Sequence, residues 1–140
     1  MTVSLFQTRD IATCRALRRA VFIEEQGISE ADDLDDQDDA AIHLLLTENQ
    51  SPRGTARLLT GPGYLKIGRL CVLKTAGGRG FGADLIRACV GTARGIEGIT
   101  SARLGAQIHA LGFYEKLGFT ATGPEFDDAG IPHREMVLRL

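Results

Sequence analysis

The sequence predicts an α/β protein with a sheet of mixed, mostly antiparallel direction flanked by helices. Three observations point there. Apolar runs joined by short turns fill residues 42–73, a glycine cluster at 77–82 leads from an apolar run into an amphipathic one, and the segments follow the order βα, βββ, αβ, αββ. The chain has 140 residues, 44% hydrophobic and 24% charged, without repeat, proline-rich linker or low-complexity tract. That composition predicts a single domain over residues 1–140.

The elements follow in order. Residues 3–6 read as a short strand. After Asp10, an N-cap, Ile11, Cys14, Leu17 and Val21 recur at helical spacing, and this helix is expected to end near Gly27. Residues 42–47, 54–60 and 64–73 are strand-like, with turns supplied by Ser51-Pro52-Arg53-Gly54 and Gly61-Pro62-Gly63, which suggests an antiparallel meander. Phe81, Leu85, Ile86, Cys89, Val90 and Ala93 form one apolar helix face that stops by Gly95 or Gly98. A strand over 102–106, a short helix over 110–117 closed by Gly118, and a terminal hairpin of 119–122 with 135–140 complete the chain.

Charge and composition narrow the function. A net charge of −2 and a pI near 5.9 give no positive field for a nucleic-acid backbone or an anionic membrane. No apolar run approaches the roughly 18 to 20 residues of a membrane span, and Met1-Thr2-Val3-Ser4 lacks signal-peptide character. A soluble, cytoplasmic protein is expected. Cys14, Cys71 and Cys89 have neither disulfide-framework nor zinc-ligand spacing and read as reduced, buried thiols; no metal is expected.

Gly77-Gly78-Arg79-Gly80-Phe81-Gly82 lies between a strand and a helix N-terminus, where unpaired amides and the helix dipole favour an anion. Glycines let the backbone approach phosphate oxygens, and Arg79 can add a charge-assisted hydrogen bond. Gly78, Gly80 and Ala83 fit the loose dinucleotide pattern, but no strand about 20 residues later ends in an acidic ribose ligand. The Gly-Lys-Ser/Thr ending of a nucleotide P-loop is missing, since the chain continues Ala83-Asp84-Leu85.

With Leu70-Cys71-Val72-Leu73 before the loop and Ala110, Phe113-Tyr114 and Gly118-Phe119 after the next strand, residues 66–119 resemble the core of the GNAT acetyltransferases. Residues 21–27, Lys66-Ile67-Gly68-Arg69, Leu104-Gly105-Ala106-Gln107 and 126–133 are similar to the ElaA/YjcF-type branch of that family. The resemblance implies the GNAT fold and acyl transfer from acetyl-CoA to a small-molecule or peptide amine. It implies that Leu70, Cys71 and Val72 hold the pantetheine arm through their backbone and that Gly78, Arg79, Gly80, Phe81, Gly82 and Ala83 hold the pyrophosphate, with Gln107 and Phe113 also at the coenzyme. One departure is that the family's usual Arg or Gln three residues before the first obligatory glycine has no counterpart; Gly77 stands in the loop there, and Arg79 is the partial substitute.

Tyr114 matches the family's usual acid, donating toward the departing thiolate. A phenol near pKa 10 and a thiol near 8.5 make full proton transfer cost about 2 kcal/mol, so a hydrogen bond suffices. A lysine-like acceptor must lose a proton near neutral pH. Candidate bases are Glu24, Glu25, His43, His109 and His133, with Glu25 and His133 ranked first. His43, in an apolar strand, reads as structural, and His109 is equally suited to orienting the helix of Tyr114. The acidic stretch 30–39 lacks the EF-hand glycine and glutamate and reads as a solvated loop or a rim that attracts a cationic amine. Arg57 and Arg69 are expected in structural ion pairs or lining the sheet. Without a Cys/His pair, direct attack is expected rather than a covalent intermediate. A non-catalytic acyl-CoA sensor is the alternative, and the oligomeric state is open, a homodimer included.

Overall fold

The computed structural model describes residues 2–28 and 36–140. The elements are β1 (Val3–Thr8), α1 (Ile11–Arg18), β2 (Ile42–Glu48), β3 (Ser51–Gly61), β4 (Tyr64–Val72), α2 (Phe81–Arg94), β5 (Ser101–Gln107), α3 (Leu111–Glu115), β6 (Thr120–Asp128) and β7 (Ile131–Arg139). They form a mixed sheet of order β1-β2-β3-β4-β5-β7-β6, in which β4 and β5 are parallel and the other neighbours antiparallel. Mixed direction and flanking helices agree with the expectation.

Local chemistry sets the boundaries. Asp10 caps α1 by accepting from the Thr13 amide at 3.1 Å and its hydroxyl at 2.6 Å. The expected continuation to Gly27 is not α-helical throughout, because Arg19–Glu25 widens into a π-helix in which the Gln26 amide donates to Val21 O. The β2–β3 turn lies earlier than expected, at Asn49-Gln50, both with positive φ. Pro52 is instead inside β3, beside an extra residue where Leu46 pairs with Gly54 and Thr47 with Pro52. A bulge is one of the few sheet positions that tolerates a proline. Pro62-Gly63 makes the β3–β4 turn as expected, with Gly63 at φ +77. The terminal hairpin is longer than its apolar ends suggested, and Ala129-Gly130, both at positive φ, close it.

The sheet is buried on both faces around β2–β4. Leu44, Leu46, Leu58, Leu65 and Ile67 point toward Phe81, Leu85, Ile86 and Cys89 of α2. Leu45 and Cys71 point the other way, against Leu17 and Val21 of α1 and its extension. Each fully buried leucine contributes about 1.5–3 kcal/mol relative to exposure. The three cysteines are buried thiols. Among the described residues no helix is long and apolar enough to cross a membrane.

A buried ionic cluster joins the α1 face to the sheet. The Asp38 carboxylate accepts from Arg15 Nε at 2.9 Å, from an Arg18 guanidinium nitrogen at 2.9 Å and from Arg57 at 3.2 Å. Arg18 also lies 3.0 Å from His43 Nδ1, and guanidinium only donates, so Nδ1 accepts and the hydrogen sits on Nε2, which donates to Asp38 O at 2.8 Å. His43 is structural, as expected, and Arg57 forms the expected ion pair. Asp38 is thus no solvated loop residue, whereas Asp36 and Asp39 are exposed. The rest of the acidic stretch, residues 30–35, lies outside the described residues.

Candidate active site

The site begins where two parallel strands part. β4 pairs with β5 only from Tyr64↔Ser101 to Ile67↔Leu104, although β4 runs to Val72 and β5 to Gln107. The cause is visible on the opposite edge of β4. There Thr55 pairs with Cys71 and Arg57 with Gly68, so three steps of β4 meet two of β3, and the surplus residue puts Arg69 at φ +50. A bulge bends and twists its strand. β5 keeps its other ladder with β7 as far as Gln107↔His133. Between the strands opens a cleft of about 480 Å³.

Its walls come from separate elements. β4 supplies Gly68, Arg69 and Leu70, β5 supplies Gly105 and Gln107, and Phe22 borders it from the α1 extension. Tyr114 of α3 and His133 of β7 face the same space, with His109 at an exposed rim. Burial and then the nearby Cys89 thiol push the Tyr114 phenol up to about 12, so its proton is retained throughout the neutral range. His133 is buried and its Nδ1 lies 2.7 Å from Ile131 O. The carbonyl can only accept, so Nδ1 carries the hydrogen and Nε2 the lone pair, the tautomer a general base requires. Glu24 and Glu25 are exposed at the end of the π-helix and do not border the cleft.

The glycine loop lies beyond the open end of β4, after a short 3-10 turn over Lys74–Ala76. Gly78 and Gly80 adopt φ +76 and +80, and a Cβ on either would project into open space. Gly80 occupies the N-cap of α2 without a side-chain cap, and the first amide to reach back is that of Asp84, 3.0 Å from Gly80 O. The amides of Phe81, Gly82 and Ala83 therefore stand at a bare helix N-terminus, where an anion is favoured. Phe113 approaches this turn, 3.6 Å from where a Gly82 Cβ would lie, and meets Tyr114 edge-on at 4.9 Å. Leu70 and Gln107 border the cleft, while the Cys71 side chain is packed in the α1-side core, so Cys71 and Val72 present backbone toward the gap.

Several features escaped the sequence reading. Arg79 does not stand alone in the loop: its guanidinium binds Glu48 at the end of β2 in bidentate fashion, 2.8 Å on one side, and lies 4.8 Å from the Phe81 ring centroid. Arg53 adds a second contact to Glu48 at 3.4 Å. Nothing in a linear sequence marks a pair 31 residues apart. Phe126, bordering the cleft and stacked on His133 at 5.7 Å, falls in the 126–133 segment similar to the ElaA/YjcF-type branch, but its own residue type gave it no expected place in the site. Among the described residues no group of His, Cys, Asp or Glu is gathered to hold a metal ion.

Comparison with known proteins agrees with this geometry. The model of the acetyltransferase (GNAT) domain matches residues 20–140. YyaT of Bacillus subtilis (strain 168) is 36% identical over 134 residues, covering 94% of this chain and 90% of its own. The N-acetyltransferase YjcF of the same organism is 33% identical over 122 residues, covering 86% of each chain. The crystal structure of Escherichia coli ElaA superimposes with a TM-score of 0.86 at 25% identity, covering 98% of this chain and 99% of that one. A parted parallel strand pair, a bare glycine-lined helix N-terminus and these relatives together establish that the chain belongs to the GNAT acetyltransferase family.

Proposed function

We propose that this acetyltransferase moves the acetyl group of acetyl-CoA to a primary amine of a small molecule or peptide by direct attack, with His133 as base and Tyr114 as hydrogen-bond donor to the departing sulfur. We read residues 1–140 as one domain acting in the cytoplasm, with no nucleic-acid or membrane partner. The observation that carries the proposal is that Tyr114 and an Nδ1-protonated His133, from different elements, border one cleft at the β4/β5 gap.

The chain's groups fit the donor. The bare amides at 81–83 and the open space at Gly78 and Gly80 suit a pyrophosphate, and the β4 edge that parts from β5 beyond Ile67 suits an extended amide-bearing arm. Bound acetyl-CoA supplies a thioester carbon open to attack. His133 Nε2 accepts the proton the amine must shed as its nitrogen forms the new C–N bond. The breaking C–S bond leaves its electron pair on sulfur, toward which Tyr114 donates. With the phenol near 12 and a thiol near 8.5, complete proton transfer would cost about 5 kcal/mol, so Tyr114 acts by hydrogen bonding and the thiol is reprotonated from solvent. Glu25 is exposed and does not line the cleft, although Phe22 and Ile28 on either side of it do, and this favours His133 over it as base. Arg79, held by Glu48, supports the loop's shape and is placed to exchange that contact for a phosphate.

The test is release of the coenzyme thiol from acetyl-CoA against a panel of primary amines, beside a direct measurement of acetyl-CoA binding. Amine-dependent release that falls in both Tyr114→Phe and His133→Gln is expected. Tight donor binding without release from any amine would replace the enzyme by a sensor.

A further inference from the structure

The sheet face opposite α2 is only partly covered: α1 packs on β2, β3 and β4, and beyond them Arg103, Gly105 and Glu135 border a second pocket of about 190 Å³. Phe126 separates this pocket from the cleft and borders both. Phe126 is 43% exposed.

Phe126 is held there by a specific construction. Between Thr122↔Glu135 and Phe126↔His133, β6 uses four steps against two of β7, with Gly123 at φ +75 and its carbonyl accepting from Arg134 Nε at 3.0 Å. The surplus residues bring Phe126 directly opposite His133, with ring planes 27° apart. Gly105 makes the seat, since a Cβ there would come within 3.1 Å of Phe126 Cζ. The far wall is also flat: Arg103 lies 4.9 Å from the Tyr64 ring centroid and is fixed by Glu135 at 3.3 Å. The two walls border a pocket of about 190 Å³ that is open to solvent on one side and large enough for one six-membered ring.

Taking the acetyl-transfer reading above as its basis, we infer that this pocket is the acceptor's second compartment: it takes the ring of an arylalkylamine between Phe126 and the Tyr64–Arg103 wall, while the amine reaches past Phe126 to His133. Flat walls favour a planar ring over a puckered one of equal size, by face or edge contact with the aromatic walls. The polar rim of Arg103 and Glu135 offers a donor and an acceptor to a ring substituent.

The experiment compares 2-phenylethylamine with 2-cyclohexylethylamine as acceptors for the full chain, and follows saturation transfer from the protein to the phenylethylamine ring by NMR. A preference in kcat/KM of roughly tenfold for the planar ring is expected, kept in Tyr64→Phe and collapsed in Tyr64→Leu, with saturation transfer following the same pattern. Equal kcat/KM for the two amines, or a preference that survives Tyr64→Leu in a variant with parental thermal unfolding, overturns the inference. If no amine is acetylated, the functional reading above fails. The NMR arm then decides the pocket by itself: transfer present in the parent and lost in Tyr64→Leu upholds ring binding, and its absence in the parent overturns it.

Discussion

Tyr114 and His133 differ in what their surroundings do to a proton. Burial and the Cys89 thiol hold the Tyr114 proton up to about 12, so the phenol donates at every pH at which the protein is assayed. Tyr114→Phe keeps the ring packing against Phe113 and Phe119 and removes only the donor, so kcat is expected to fall roughly 10²-fold with the Kd for acetyl-CoA within a factor of two. Steady-state kinetics beside calorimetric donor binding checks this, and an unchanged kcat rejects Tyr114 as the donor. His133 is held by one carbonyl and one aromatic face, so His133→Gln deprives the amine of its base but leaves the cleft closed on that side. The variant then depends on the small neutral fraction of the acceptor, and kcat/KM is expected to climb about tenfold per pH unit from 7 to 9 for an amine near pKa 10. The parent's rise over the same range is expected to be shallower, while Glu25→Gln, altered at an exposed position off the cleft, is expected to follow the parent. Parallel profiles for parent and His133→Gln would remove the histidine from the mechanism.

Elements whose identity depends on neighbouring residues were legible in the sequence, and those that depend on distant partners were not. The six apolar positions of α2 recur on one face and all are buried, and Pro62-Gly63 dictates its own turn. The parting of β4 from β5 has no such local mark. It requires a parallel neighbour almost forty residues on and a bulge centred on Arg69, a residue type that does not announce positive φ as glycine does. For the same reason the residue types at Tyr114 and His133 suggested chemistry from sequence, while their sharing one cleft, and the displacement of Glu25 from it, became visible only with the sheet assembled. The glycine loop lies between these cases, since its composition signals the conformation directly. Gly80 at φ +80 begins α2, and a Cβ there meets no neighbour, so Gly80→Ala tests the backbone alone. Forcing alanine into the left-handed region costs roughly 1–2 kcal/mol. Urea unfolding is expected to report a loss of that size, and acetyl-CoA binding to weaken by more than the loss of folded protein explains, because relaxation of the loop re-aims the amides of residues 81–83. Unchanged affinity would show that the loop's left-handed turn does not organise the phosphate site.

At the scale of the molecule, the Asp38 cluster ties the end of the α1 face to β2 and β3 behind the cleft. Arg15 and Arg18 come from α1, His43 from β2 and Arg57 from β3, and Arg57 also borders the cleft. Burial by itself would raise the Asp38 carboxyl, but hydrogen bonds from Arg15 and Arg18, the charge of Arg18 and the hydrogen bond from Arg57 outweigh it and hold the carboxyl far below the usual carboxylate range. Replacing one partner of a buried charge cluster costs more than the cluster's net worth, because the remaining buried charge stays: Arg18, with a side chain only 3% exposed, keeps its guanidinium and loses its carboxylate. Asp38→Asn is therefore expected to lower stability at pH 7 by about 3–5 kcal/mol. The sign of the pH dependence follows from the depressed folded value. The ionised carboxylate stabilises the fold fully above its unfolded pKa near 3.9, and that contribution is lost as pH falls through the acid range toward the folded value. Asparagine cannot titrate, so the gap between parent and Asp38→Asn in urea midpoint is expected to be widest from pH 5 to 7 and to narrow progressively below pH 4, the parent falling toward the variant. A gap that stays constant down to pH 3 would mean that Asp38 holds these elements together by shape and neutral hydrogen bonding, and not by its charge.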